Sequence, residues 1–344
     1  MDPLEARVLP VLRRDCGIAP GSRGLVAVSG GRDSLATLHV LAALAPRLRL
    51  RLEAVHFDHG LRPESGREAE WVRGAVARLG LPFHLRRAGH LAGLSAGVPA
   101  AAREWRRQEA WRLAVQTGAA WVATGHQLDD HLETLLLKLL RGAHLSGLKG
   151  MPARQGLWVR PVLHVPRKDL QAYLERRGLD WLDDPSNESP RYKRNRVRLE
   201  LLPLLNELAG GAIGARLLNL ERQSAALQAW LGAELARHAP RESPLGAAAH
   251  WLDIAGLLRL PALAQEAALH RFIQARLPGP VAYERIAEAL GLLARERPGR
   301  QGAFTVELSA GRVLRRQGKR LLLEGPAAPA RRWQGARDAT SEAP

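Results

Sequence analysis

Six residues near the amino terminus, Ser29-Gly30-Gly31-Arg32-Asp33-Ser34, combine the residue types and spacing of a phosphate-binding turn. Two glycines let backbone come close to a ligand. Serine hydroxyls flank them, and the apolar spacing of Leu35, Leu38 and Leu41 places a helix behind the turn. The unpaired N–H groups of that helix start favour an anion. A carboxylate inside such a cradle repels phosphate unless a cation lies between them, so Asp33 implies Mg²⁺ beside a nucleotide. The turn lacks the lysine of the Gly-x-x-x-x-Gly-Lys-Ser/Thr loop, and it is not the Gly-x-Gly-x-x-Gly turn of dinucleotide folds. A Ser/Asp cap that only starts a helix is the plainer alternative.

A second segment, Ala123–Thr134, carries His126, Asp129, Asp130 and Glu133 where a strand ends and a helix starts. At helical spacing His126/Asp130 and Asp130/Thr134 are i,i+4 pairs, and Asp130/Glu133 is an i,i+3 pair. Capping needs one carboxylate, and this helix start has more. Its polar face lies beside the phosphate turn if the two strands are neighbours. Asp58-His59-Gly60 follows another strand and, taken alone, reads equally as a turn. Arg103, Arg106 and Arg107 share a helix with Trp105, a surface for phosphate contact and base stacking. The charged run Arg194-Asn195-Arg196-Val197-Arg198 follows the polar loop Asp183–Pro190.

The elements that must position these residues alternate. Strands are read at Gly24–Val28, Leu50–Phe57, Pro82–Leu85 and Ala120–Thr124, and helices at Ser34–Leu44, Glu64–Leu79, Pro99–Thr117 and Asp129–Leu140. A short strand near Leu157–Arg160 and a helix at Arg167–Arg177 complete a doubly wound, mostly parallel α/β sheet. Ligands bind such sheets beyond the strands' carboxyl ends, where all three informative loops fall. From Leu208 the pattern is helical through Arg297, and Ala303–Leu323 reads as a β-hairpin or small sheet. The expected domains are 1–205, catalytic, and 206–325, mainly helical with the hairpin, before a disordered tail at 326–344.

Two domains suit 344 residues. The formal net charge is +17, from 51 Lys+Arg against 34 Asp+Glu, and lysine occurs only at 138, 149, 168, 193 and 319. Arginine makes bidentate phosphate contacts, so the excess points to a polyanionic partner such as nucleic acid. Arginine-favouring codon usage is the plainer alternative. A single cysteine, Cys16, excludes a disulfide framework and a cysteine metal cage. With no signal peptide and no run of 18 apolar residues, a soluble cytoplasmic protein without a membrane partner is expected.

In this order the segments resemble the PP-loop ATP pyrophosphatases, which cleave ATP between the α and β phosphates to adenylate a substrate. Within them they resemble the tRNA(Ile)-lysidine synthase family. That family's motifs appear at Ser29–Ser34, Asp58–Arg62, Ala102–Arg106, His126–Thr134, Leu139–Gly142, Gly150–Pro152, Asp183–Asn187 and Arg194–Arg198. Two departures stand out: Arg107 replaces a usual aromatic residue, and Pro185 follows Asp184. The chain is also shorter than family members that carry an additional terminal domain.

The resemblance implies ligation of free L-lysine to the wobble cytidine of an isoleucine tRNA with a CAU anticodon, through an adenylated cytidine. AMP and pyrophosphate leave, and codon reading changes from AUG to AUA. It implies catalytic roles for Asp33, Asp130, Glu133 and His126, with Mg²⁺ on Asp33 and Asp130. ATP contacts fall to Ser29, Gly30, Gly31, Arg32, Asp33, Ser34 and Asp58, and the lysine ammonium to Asp130 and Glu133. Arg103, Arg106, Arg194, Asn195, Arg196 and Arg198 are implied in tRNA or nucleotide contact, and the oligomeric state is left open, a homodimer being one option. A tRNA thiolase needs catalytic cysteines or a cluster, which one remote Cys16 does not supply. An amidotransferase needs a glutaminase domain or partner. A basic RNA-binding protein with a vestigial ATP site would not need the Asp33 and Asp130 pair.

Overall fold

The computed structural model describes residues 1–60, 65–89, 97–142, 150–183, 193–238, 242, 250–277, 281–295, 303–308 and 311–325. The loop at 184–190 and the tail at 326–344, both read from sequence, lie outside them, as does 61–64. Two compact units emerge, one of Met1–Leu137 with Lys149–Leu220, the other of Lys138–Leu148 with Glu221–Pro344.

In the first unit, strands β1 (Arg23–Ala27), β2 (Arg51–Asp58), β3 (Phe83–Arg87), β4 (Trp121–Ala123), β5 (Arg154–Gln155) and β6 (Trp158–Val159) form one sheet. Its order is β3-β2-β1-β4-β6-β5, parallel except for the β5–β6 pair. Chain direction across the sheet therefore reverses between β1 and β4, the crevice where such sheets hold ligands. The two strands pair Gly24 with Trp121 and Val26 with Ala123. The Trp121 ring lies over Gly24 so closely that a Cβ there would sit 2.2 Å from it, so only glycine fits that pair.

Helices α1 (Pro3–Arg14), α2 (Arg32–Leu48), α3 (Ser65–Ala77), α4 (Val98–Thr117), α5 (Leu128–Leu139) and α6 (Arg167–Glu175) accompany this sheet. Helix α1 was not read from sequence. Asp2 and Glu5 cap it reciprocally, and Glu5, buried, accepts the Tyr173 hydroxyl of α6 at 3.1 Å. The core holds Leu35, Leu38 and Leu41 of α2 with Val26, Leu170 and Trp121. The basic run forms α7 (Lys193–Arg196) and continues through a π-helical turn at Val197–Leu201 into α8 (Leu202–Leu208). Helix α9 (Ile213–His238) follows.

The second unit corrects the sequence reading in one place. His250–Asp253, inside the stretch read as helical, is strand β7. With β8 (Thr305–Glu307), β9 (Val313–Gln317) and β10 (Arg320–Glu324), the small sheet read from sequence, it makes a four-stranded antiparallel sheet of order β7-β10-β9-β8. Four residues are too short a run for periodicity to separate from helix, and Asp253 immediately caps the next helix through the Gly256 N–H at 2.7 Å. Helices α10 (Ile254–Leu258), α11 (Ala262–Gln274) and α12 (Tyr283–Ala294) share their core with Val306, Leu314, Leu321 and Leu323 of that sheet. No single helix among the described residues is long and apolar enough to cross a membrane.

Candidate active site

The turn between β1 and α2 is shaped by its own hydroxyls. Ser34 Oγ donates to Gly31 O at 2.8 Å and accepts the Ser29 N–H at 3.1 Å; Ser29 Oγ lies 3.1 Å from Ser34 Oγ. Gly30 has φ +91°, and a Cβ there would stand 2.8 Å from Leu182, whose N–H donates to Gly30 O at 3.0 Å. The positive φ is what calls for glycine, since the Leu182 side chain could shift to make room. Arg32 is hydrogen-bonded to Gln171 and lies 5.6 Å from the Trp181 ring. Asp33 enters the first turn of α2 with Oδ1 buried and no hydrogen-bond partner.

The loop after β4 meets this turn directly. A Cβ on Gly125 would lie 2.7 Å from the Asp33 backbone carbonyl and 2.8 Å from the Ser34 nitrogen. The sequence made closeness conditional on the strands being neighbours, and the β1–β4 pairing meets that condition. Helix α5 thus starts beside Asp33 with Asp129 and Asp130 in its first turn. Arg167 bridges the two starts, 3.7 Å from Asp33 and 4.0 Å from Asp129. Burial pushes the Asp33 carboxyl above its ordinary value; Arg167 opposes this and Asp130 adds to it. Burial raises Asp129 in the same way.

Asp130 and Glu133 are engaged by the basic run. Arg194 donates from Nη2 to Asp130 at 2.8 Å and from Nε to Glu133 at 2.6 Å. Arg198 reaches Glu133 at 2.5 Å and Asp130 at 3.3 Å. The Glu133 side chain is 0% exposed, so these guanidiniums supply the counter-charge without which its ionised form could not be buried. Glu133→Gln should lower stability by about 3–5 kcal/mol, read as a fall in the urea midpoint. Arg196→Ala should leave that midpoint unchanged, because among the described residues the exposed Arg196 pairs with exposed Glu200 one turn on.

His126 Nδ1 stands 2.8 Å from the Thr124 hydroxyl. Burial is the main cause that pulls the imidazole down to about 4, with Asp130 opposing and Arg160, Arg106 and Arg194 adding to the fall. Unfolded, this histidine takes a proton near 6.5; folded, only near 4. The unfolded chain then binds the extra proton in that window, so stability is lost as pH falls from 6.5 to 4. Asp33 and Asp129, both raised above the ordinary 3.8, act in the opposite sense, gaining stability as pH falls toward 3.8. The urea midpoint of wild type should decline as pH falls from 6.5 to 4, and that of His126→Asn should lose this decline.

A divalent cation fits the Asp33 side of the site. Mg²⁺ usually takes one or two carboxylates together with substrate phosphates, and Asp33 offers a buried oxygen without a partner next to a phosphate turn. No cluster of three metal-ligating side chains occurs among the described residues, so a protein-only cage is not what this site offers.

The PP-loop domain family matches residues 4–205, more than half of the chain. A tRNA(Ile)-lysidine synthase of Thermobifida fusca is 39% identical over 264 residues, covering 75% of this chain and 79% of that protein. The chain belongs to the tRNA(Ile)-lysidine synthase family. The synthase of Symbiobacterium thermophilum is 42% identical over 218 residues, covering 61% of this chain and 45% of its own length. The chain therefore spans less than half of that relative. Among solved structures, a U34-tRNA thiolase of Methanococcus maripaludis is similar with a TM-score of 0.54 at 15% identity, covering 65% of this chain and 78% of that one, a likeness of fold.

Against the lysidine synthase motifs, the structure gathers Ser29–Ser34, His126, Asp130, Glu133, Arg194 and Arg198 in one place. Asp58 ends β2, accepting the Gly60 N–H at 2.8 Å and Arg87 Nε at 3.2 Å. Arg103 is exposed on α4, and Asn195 lies on α7 with Arg196. Arg167, Arg160 and Thr124 were not singled out from sequence. Arg167 follows Pro166 at a helix start, a position that alone carries no signal for an acid partner.

Proposed function

We propose that the chain adenylates the wobble cytidine of an isoleucine tRNA with ATP and displaces AMP with the ε-amine of free L-lysine, forming lysidine. The observation that carries this is the approach of Gly125 to Asp33, which sets an acidic helix start against a phosphate turn in a chain of this family. The turn's N–H groups and the Ser29 and Ser34 hydroxyls suit pyrophosphate. Asp33, with Asp130, would hold Mg²⁺, which neutralises charge as pyrophosphate leaves. The cytidine oxygen attacks the α-phosphate. A wobble base is already single-stranded, so its extrusion costs less than from a duplex.

Asp130 and Glu133 then receive the lysine ammonium, in competition with Arg194 for the same oxygens. An amine with a pKa near 10.4 must lose a proton before attack. His126, held neutral, and the carboxylates are the available acceptors. Residues 1–205 serve as the catalytic domain and 206–325 as the tRNA-binding domain, in a cytoplasmic homodimer. Sulfur transfer is disfavoured by Cys16, which is buried and whose thiol is pushed up to about 11 chiefly by burial.

The test is AMP release by purified protein with ATP, Mg²⁺ and lysine. Release only when the isoleucine tRNA is present supports the proposal; release without tRNA, or with tRNA but no lysine requirement for product, removes it.

A further inference from the structure

At the start of α5 two acids and two guanidiniums close one another off. We propose that Arg194 and Arg198 form a latch on Asp130 and Glu133 that RNA opens: phosphates draw the arginines away, and the freed acids then accept an ammonium. The identity of that ammonium as lysine's rests on the function proposed above, and the latch itself rests on the following contacts.

No oxygen of either acid is idle. Asp130 Oδ2 accepts the Gln127 N–H at 3.2 Å, a cap on its own helix, which leaves Oδ1 for any other partner. Arg194 Nη2 and Arg198 Nη2 both donate to that Oδ1, at 2.8 and 3.3 Å. Glu133 Oε1 accepts Arg198 Nε at 2.5 Å, and Oε2 accepts Arg194 Nε at 2.6 Å and Arg198 Nη2 at 3.2 Å. An ammonium therefore reaches these acids only by displacing a guanidinium. The exchange conserves charge, so the fully buried Glu133 side chain keeps a cation throughout.

The arginine-bearing stretch is held in a way that lets it move. Helix α7 contributes no buried residue, so ion pairs are what fix it on α5. The turn after it is π-helical, with the Leu202 N–H on the Val197 carbonyl in place of the i→i+4 bond of an α-helix. Downstream, Leu201, Leu202 and Leu205 pack with Leu132 and Leu136 of α5. Return of the π-turn to α geometry rotates the stretch before it by about 100° against this anchor and swings Arg194 off the acids. The Arg194 side chain is already 36% exposed, and Lys193 and Arg196 beside it are exposed. A guanidinium leaving a carboxylate finds in phosphate an equally bidentate partner, so a polyanion meets the charge that the acids give up. Binding of RNA and of an amine are then coupled, each favouring the other.

Fluorescence anisotropy of an isoleucine tRNA transcript, titrated with wild type, Asp130→Asn and Glu200→Gln, reads the latch directly, and circular dichroism melts confirm that each variant folds. Asp130→Asn loosens the arginines in advance and should bind the RNA about tenfold tighter than wild type. Glu200→Gln removes an exposed acid from the same run, and screened surface charge alone should change affinity by less than about threefold. Asp130→Asn binding no tighter than Glu200→Gln overturns the latch. Calorimetric titration of lysine and of 1,5-diaminopentane into wild type, without nucleotide, should give affinities about tenfold higher with the tRNA bound than without it. Amine binding that the tRNA leaves unchanged also overturns the latch. Tighter RNA binding by Asp130→Asn, with neither amine bound in either state, keeps the latch and removes the lysine reading.

Discussion

Asp33→Asn lowers pyrophosphate release by about a hundredfold or more and leaves the melting temperature equal or higher. The two halves of this result have one cause. The side chain is half-buried and its carboxyl raised by desolvation, with Oδ1 out of water and without a partner, so its charge is costly in the free chain. An amide there is cheaper to bury, yet it gives up the negative charge that would face a cation at the phosphate turn. Stability and turnover therefore move apart, as is common where a site stores electrostatic strain. Initial-rate assays of pyrophosphate release beside thermal melts read both quantities. Turnover near wild type would mean that Asp33 only starts helix α2.

Gly125→Ala produces the second large effect, and by sterics alone. The added Cβ would stand 2.7 Å from the backbone of Asp33, and backbone on the facing side cannot swing aside as a flexible side chain can. Either the phosphate turn or the start of α5 must shift. Overpacking of this kind costs about 1–3 kcal/mol. A displacement on the order of 1 Å between catalytic groups costs about a hundredfold in rate. The expected outcome is a lower melting temperature together with kcat/KM reduced about a hundredfold. Gly74→Ala is the control, since a Cβ there meets nothing within 4 Å in a helix that gains from alanine. Equal kinetics for the two variants would contradict a coupled site.

The contrast between these two residues shows what the sequence discloses. Asp33 is legible because its neighbours Ser29, Gly30, Gly31 and Ser34 are local, and a phosphate turn is a local structure. Strands β1, β2 and β4 are legible because each is a largely apolar run followed by a helix. Gly125 looks like any glycine in a strand-to-helix loop until the pairing of β1 with β4 is known. Arg194 and Arg198 read as a solvent-facing or RNA-facing run, yet they close on acids 61 and 65 residues away in sequence. No periodicity reports such a pairing. Arg160 and Arg167 are hidden for another reason: two among 51 Lys+Arg residues, they acquire meaning only from which neighbours lack or offer a counter-charge. Strand β7 escapes because four residues capped straight into a helix leave no alternation to count.

The most direct measurement is mass spectrometry of nucleosides from an isoleucine tRNA transcript incubated with the protein, ATP and isotopically labelled lysine. The account predicts one cytidine, at the wobble position, carrying the label with loss of its 2-oxo group. A wobble cytidine left unmodified while ATP is consumed, or label placed on any other nucleoside, would contradict it.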